Sequence, residues 1–175
     1  MTKFLILLFA ISCAQAPLYK KYNRKEWKHW VDGDGNCLNT RSEMLKLRSR
    51  GPVLMNKKGC TVVSGVWDDY YYPEVHTIAK KVDIDHLIPL KNAHETGGAM
   101  WTKNEREVFA TDPQNLVITN LSYNRKKGAK GIDGWLPVHK EYACKYIKDW
   151  VKVKKKYNLL LTTKEQQTFK LSACR

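Results

Sequence analysis

The chain has 175 residues, of which 43% are hydrophobic and six are tryptophan. That composition excludes a disordered chain and fits one domain with a single real core. The formal charge of +14 points toward polyanions (nucleic acid, acidic glycans or anionic membranes) without choosing among them.

The first sixteen residues read as a secretory signal peptide. Lys3 is a short positive region, Phe4 to Ile11 an apolar one, and Ala14-Gln15-Ala16 a small-x-small cleavage site. The apolar run falls well short of the ~20 residues a membrane span needs, and no later stretch qualifies. The chain is therefore expected to be secreted or periplasmic. In a variant reading, "AISC" is a lipoprotein box with Cys13 lipidated. Cleavage removes Lys3, so the charge of +14 becomes +13. It also removes Cys13 and leaves Cys37, Cys60, Cys144 and Cys174. An even count in an exported chain points to disulfides, with three connectivities. Locality favours Cys37–Cys60 and Cys144–Cys174, each worth ~3 kcal/mol in the chain-entropy model. A zinc site has no CxxC or HxxxH spacing behind it.

"YNRKEWKHW" is an aromatic and basic lead-in with helical character. "VDGDGNC" alternates Asp32, Asp34 and Asn36 like the start of a calcium loop. Cys37 and Glu43 stand where its glycine and glutamate belong, so a plain turn is the better reading. Thr40 and Glu43 suggest a capping box opening a short helix. "CTVVSGVW" predicts a strand, "DDYYYP" a turn, and "EVHTIAKKVDID" a returning strand. Pro89 opens a helix through His94, which Gly97-Gly98 stops. "KNEREVFA" predicts a further helical turn or two. "PQNLVITN" reads as a strand, and "SYNRKKGAKG" starts helical. After Pro137, Val138, Tyr142, Tyr146, Ile147 and Trp150 recur at helical spacing. A last helix begins at the capping box Thr162 and Glu165.

The middle thus runs strand, long excursion, strand, helix. "DIDH", Asp83 to His86, ends the first strand, and Asn124 lies in the helix. Carboxylates and an imidazole packed so closely cost desolvation energy unless a metal or a proton-transfer role compensates. Metal-assisted phosphodiester hydrolysis needs those parts: a base for water, oxygen ligands for a hard cation, and cations for the phosphate oxygens. An Asp and an Asn, completed by waters, suit Mg²⁺. Taken alone, these residues also read blandly. The aspartates could be edge charges, His86 a satisfied core histidine, the asparagines caps, and "RKKGAK" and "KVKKK" solvated faces. Arg41 either pairs with a core acid or reaches a phosphate. Trp101, Trp135 and Phe109 read as core, and His29 and His76 as surface residues.

"VDIDHLIPL", followed by "NLVITNLSYNRKKG", resembles the HNH, or ββα-metal, nuclease motif. The wider series "CLNTRSEML", "DHLIPLKNAHETGGAMW", "REVFATDPQNL", "NRKKG", "WLP" and "YACKYI" is similar to secreted bacterial HNH proteins. These are related to the C-terminal domain of the GmrSD restriction enzymes. The likeness runs roughly from Trp30 to Asn158.

The resemblance implies roles for individual residues. Asp85 and Asn124 would be metal ligands, and His86 the general base. Asn115 would fix the loop that bears the histidine. Arg125, Lys126 and Lys127 would contact phosphates, and Asp83 would orient a neighbour or help electrostatically. His94 and His139 are the downstream candidates for the third letter of the older HNH name.

The expectation is an α+β fold: a ββα-metal core at about 80–130, helices at 137–175 and flanking disulfides, as one domain over 17–175. The expected activity is that of an exported endonuclease of low sequence specificity, monomeric, using Mg²⁺ or else Mn²⁺ on DNA or else RNA. Two rival readings are a basic nucleic-acid-binding protein on an inactive HNH scaffold and, more distantly, a glycan binder.

Overall fold

The computed structural model describes residues 20–174, so the leader, its cleavage site and Cys13 lie outside the described residues. The fold is α+β. Strands β1 (Leu54–Met55), β2 (Val62–Asp68) and β3 (Val75–Ile78) form an antiparallel sheet in that order. Helix α1 (Thr40–Arg48) precedes it. Strands β4 (Val82–His86) and β5 (Leu116–Asn120) form a separate antiparallel pair, with His86 opposite Leu116 and Asp83 opposite Thr119. Helices α2 (Leu90–Glu95) and α3 (Lys103–Thr111) occupy the excursion between them. Helix α4 (Leu121–Lys127) follows β5 directly, and α5 (Lys140–Lys156) and α6 (Thr163–Leu171) come last.

The β4–β5 pair is buried between two apolar clusters. Val82, Ile84, Leu116 and Ile118 join Met44, Leu45 and Trp67 on one side. Val117, Leu87 and Ile88 join Tyr71, Phe109, Tyr146 and Trp150 on the other. Each such side chain, fully buried, adds roughly 1.5–3 kcal/mol. Because successive strand residues point to opposite faces, Asp83 and Asp85 share the face that Ile84 avoids. The disulfides are Cys37–Cys60 and Cys144–Cys174. The first ties the loop before α1 to the turn between β1 and β2, and the second ties α5 to the segment after α6. Among the described residues no helix is long and apolar enough to cross a membrane.

Several local expectations need correcting. The lead-in is not a helix: only Arg24–Glu26 makes a single 3-10 turn, because Trp27 is drawn into the core beside Phe109 and the chain must follow it. Asn39, not Thr40, caps α1, accepting the Ser42 amide at 3.1 Å. Glu43 instead accepts from the Asn36 side chain. The run from Glu74 to Asp85 is not one strand. A 3-10 turn at Ala79–Lys81 breaks it, so that β3 and β4 belong to different sheets. Helix α5 starts at Lys140, and Val138 before it is exposed. The capping box of Thr162 and Glu165 is formed as expected.

Candidate functional site

The end of β4 is fastened by the residue that precedes β5. Asn115 is fully buried. Its carbonyl accepts the Leu87 amide at 2.8 Å, and its Oδ1 accepts the Ile88 amide at 2.8 Å. The two residues after His86 are thereby held by one asparagine. His86 is buried, with Nε2 2.8 Å from the Ala110 carbonyl. A carbonyl only accepts, so Nε2 carries the proton and Nδ1 keeps its lone pair. Burial pulls the His86 pKa down to about 3, which keeps the ring neutral.

Helix α4 lies on the face of β4 that carries the aspartates. Asn124 and Lys127 are three apart and so lie on the same side of the helix. The Asn124 amide nitrogen donates to Asp83 Oδ2 at 3.1 Å. Lys127 is 0% exposed. Its ammonium lies 2.9 Å from Asp85 Oδ2 and donates to the His86 carbonyl at 2.9 Å. Lys127 is therefore no surface phosphate contact: its position on the helix turns it inward, where the Asp85 charge offsets its desolvation. Tyr71, which sequence reasoning missed, donates its hydroxyl to the same Asp85 oxygen at 2.7 Å. Next to that carboxylate and fully buried, the phenol is held well above its usual pKa, burial being the larger cause.

Two oxygens are left over. Among the described residues nothing donates a hydrogen bond to Asp85 Oδ1 or to Asn124 Oδ1. Both residues line a cleft of about 370 Å³ together with His86, Arg24, Lys91 and Arg125. Two hard oxygen donors of this kind fit a small divalent cation completed by waters. Arg125 and Lys126 are both exposed, and Arg125 is the one of the two that lines the cleft. Arg41 donates to the carbonyls of Ala79 (2.8 Å) and Val82 (2.7 Å) beside Asp83, so it anchors the start of β4 and does not reach the cleft.

A second acidic group stands elsewhere. Asp69, Glu74 and His76 hold potential ligand atoms within 4.8 Å of one another. Asp69, however, already accepts from the amides of Tyr71, Tyr72 and Asn120, from the Thr119 hydroxyl and from His76 Nε2. Glu74 accepts from the Tyr123 hydroxyl. His76, expected at the surface, is half-buried for this reason. A larger cleft of about 550 Å³ holds none of the Asp85, His86 and Asn124 set, and its Asp149 is engaged by Tyr70 and Lys145.

Comparison with known proteins adds two matches. Residues 40–170 match the family model described as GmrSD restriction endonucleases, C-terminal domain. An uncharacterized secreted protein of the fungus Arthroderma benhamiae is 37% identical over 158 residues, covering 87% of this chain and 76% of its own. No solved structure matches.

Proposed function

Because the chain belongs to the family of GmrSD restriction endonuclease C-terminal domains, we propose that it is an exported, metal-dependent endonuclease of the HNH type. It acts as a monomer on the phosphodiester bonds of nucleic acid, DNA before RNA, with little sequence discrimination. The observation that carries this reading is the cleft itself. It brings a neutral, oriented imidazole within the same walls as two uncommitted oxygen donors and an exposed guanidinium. Export is supported by the secreted relative and the two disulfides.

Asp85 Oδ1 and Asn124 Oδ1 would hold the cation, Mg²⁺ or else Mn²⁺. When bound, it supplies charge neutralisation at the scissile phosphate and the departing oxygen. The chain's own groups do the rest. His86 Nδ1 takes the proton from the attacking water while the Ala110 carbonyl keeps the ring in one tautomer. Asn115 fixes the backbone that carries the ring. Lys127 and Tyr71 hold one oxygen of Asp85 and leave the other open. Asp83 holds the amide of Asn124 with its oxygen free. Arg125 and Lys126 supply cations for phosphates on the strand.

The test is plasmid nicking by the oxidised mature protein with Mg²⁺, Mn²⁺ or EDTA, beside His86→Ala. Metal-dependent cutting that the variant loses supports the reading. Plasmid that is retarded but uncut with every metal would make this an inactive binding scaffold.

A further inference from the structure

The family match begins at residue 40, yet one wall of the cleft comes from before it. Residues 22–30 are pinned there by several independent bonds. Trp27 is buried against Phe109 and Trp101. Glu26 accepts from Arg106 at 2.6 Å. Val31 and Thr40 exchange hydrogen bonds, with the Thr40 amide donating to the Val31 carbonyl at 2.8 Å. His29 Nδ1 donates to the Trp27 carbonyl at 2.7 Å, and the His29 ring stands edge-on to His86 with centroids 5.5 Å apart. On His29 rests Trp30, 4.9 Å away, whose ring is 6.4 Å from His86 and 42% exposed. Arg24 lines the cleft with Asp85, His86 and Asn124, is exposed, and pairs with no carboxylate among the described residues.

Arg24 Nη2 does reach His29 Nε2 at 3.5 Å, but a neutral ring leaves its charge in place. A rigid segment that sets an open indole and a guanidinium with no carboxylate partner among the described residues beside the base has the parts of a strand-holding surface. A guanidinium clasps phosphate oxygens through paired N–H donors. An exposed indole stacks on any base whose face is free. In a duplex the faces are already covered by neighbouring bases, so such a stack selects for unpaired strands.

We propose that residues 22–30 form a substrate-holding arm: Arg24 binds the phosphate next to the scissile one, and Trp30 stacks on an unpaired base. The site therefore prefers single-stranded nucleic acid over duplex. This rests on the nuclease reading and names its substrate form.

The experiment measures binding of a fluorescein-labelled single-stranded oligonucleotide, and of the same sequence as a duplex, by anisotropy in EDTA. Both side chains are exposed, so their variants keep the fold. Trp30→Ala should weaken single-strand binding about tenfold and leave duplex binding unchanged. Arg24→Ala should weaken both by a similar factor, while Lys28→Ala, a charge-matched change in the same segment, should not. An abasic single strand should bind the wild-type protein as weakly as the intact strand binds Trp30→Ala. Wild-type affinity in Trp30→Ala, or equal losses on single strand and duplex, would overturn the stacking assignment. Equal losses in Arg24→Ala and Lys28→Ala would reduce the arm to general charge. Cleavage is read separately with metal. Absence of cutting in the wild-type protein would sink the nuclease reading while leaving the binding result to judge the arm.

Discussion

Two aspartates, Asp85 within the β4–β5 pair and Asp69 bonded to its end, live differently. Asp69 is buried, and its two oxygens are claimed by three amides, a hydroxyl and an imidazole. Asp85 is equally buried, but Tyr71 and Lys127 converge on one oxygen and leave the other. Both satisfy the need to pair a buried charge. Only Asp85 keeps an oxygen to which no described residue donates. The difference teaches that burial and carboxylate clustering do not mark a reactive site. An unfilled lone pair beside a cleft does, and by that standard Asp69, Glu74 and His76 form a clasp that fastens the turn after β2 to the end of β5.

The comparison can be broken in several places. The largest effect belongs to His86, the proposed base. His86→Ala should lower the rate of nicking by about a thousandfold and leave plasmid retardation intact, since general-base groups contribute about 10²–10⁴. A variant that cuts at the wild-type rate would remove the mechanism. Next comes the clasp. Asp69→Ala strands several buried donors and should cost about 3 kcal/mol in urea unfolding, with activity per folded molecule retained. If stability held and metal dependence changed instead, the clasp would be the metal centre. Asn124→Ala should do the reverse: half-buried, it should cost under about 1 kcal/mol, while the metal concentration for half-maximal cutting rises about tenfold. An unaltered metal titration would count against it as a ligand.

The remaining test is in pH. Burial holds the folded His86 pKa at about 3, below the ordinary 6.5. Between those values the unfolded chain takes up a proton that the folded one refuses. Its contribution to stability is complete above about pH 6.5 and is lost as pH falls toward 3, by at most one proton, about 1.4 kcal/mol per pH unit. Unfolding of the metal-free protein at pH 7, 5 and 4 should show a shallower slope in His86→Gln. An identical slope would show that His86 is not the source of the acid sensitivity.

Much of this was legible in the residues. β-Branched runs gave β2 and β5, helical spacing gave α5, and cysteine parity with locality gave both disulfides. The resemblance to the HNH motif implies Asp85, His86 and Asn124, and the fold lines one cleft with all three. What was not legible depended on neighbours far away in sequence. Nothing in "RKKG" says that the third cation turns inward, because that requires Asp85 across the interface with β4. Tyr71 sits in a turn-like "DDYYYP", and only folding brings its hydroxyl to Asp85. The lead-in has helix-forming residues, but the burial of Trp27 overrode local propensity.

The excursion between β4 and β5 carries a consequence of its own. As the chain emerges from its N-terminus, Asp85 and His86 must wait for about thirty further residues before Asn115 exists to fasten them. Pairings of such sequence separation form slowly, since closing the intervening loop is costly in entropy. Asp85, His86 and Asn124 are thus brought into one cleft only after both strands of the β-pair and the helix behind them have been made.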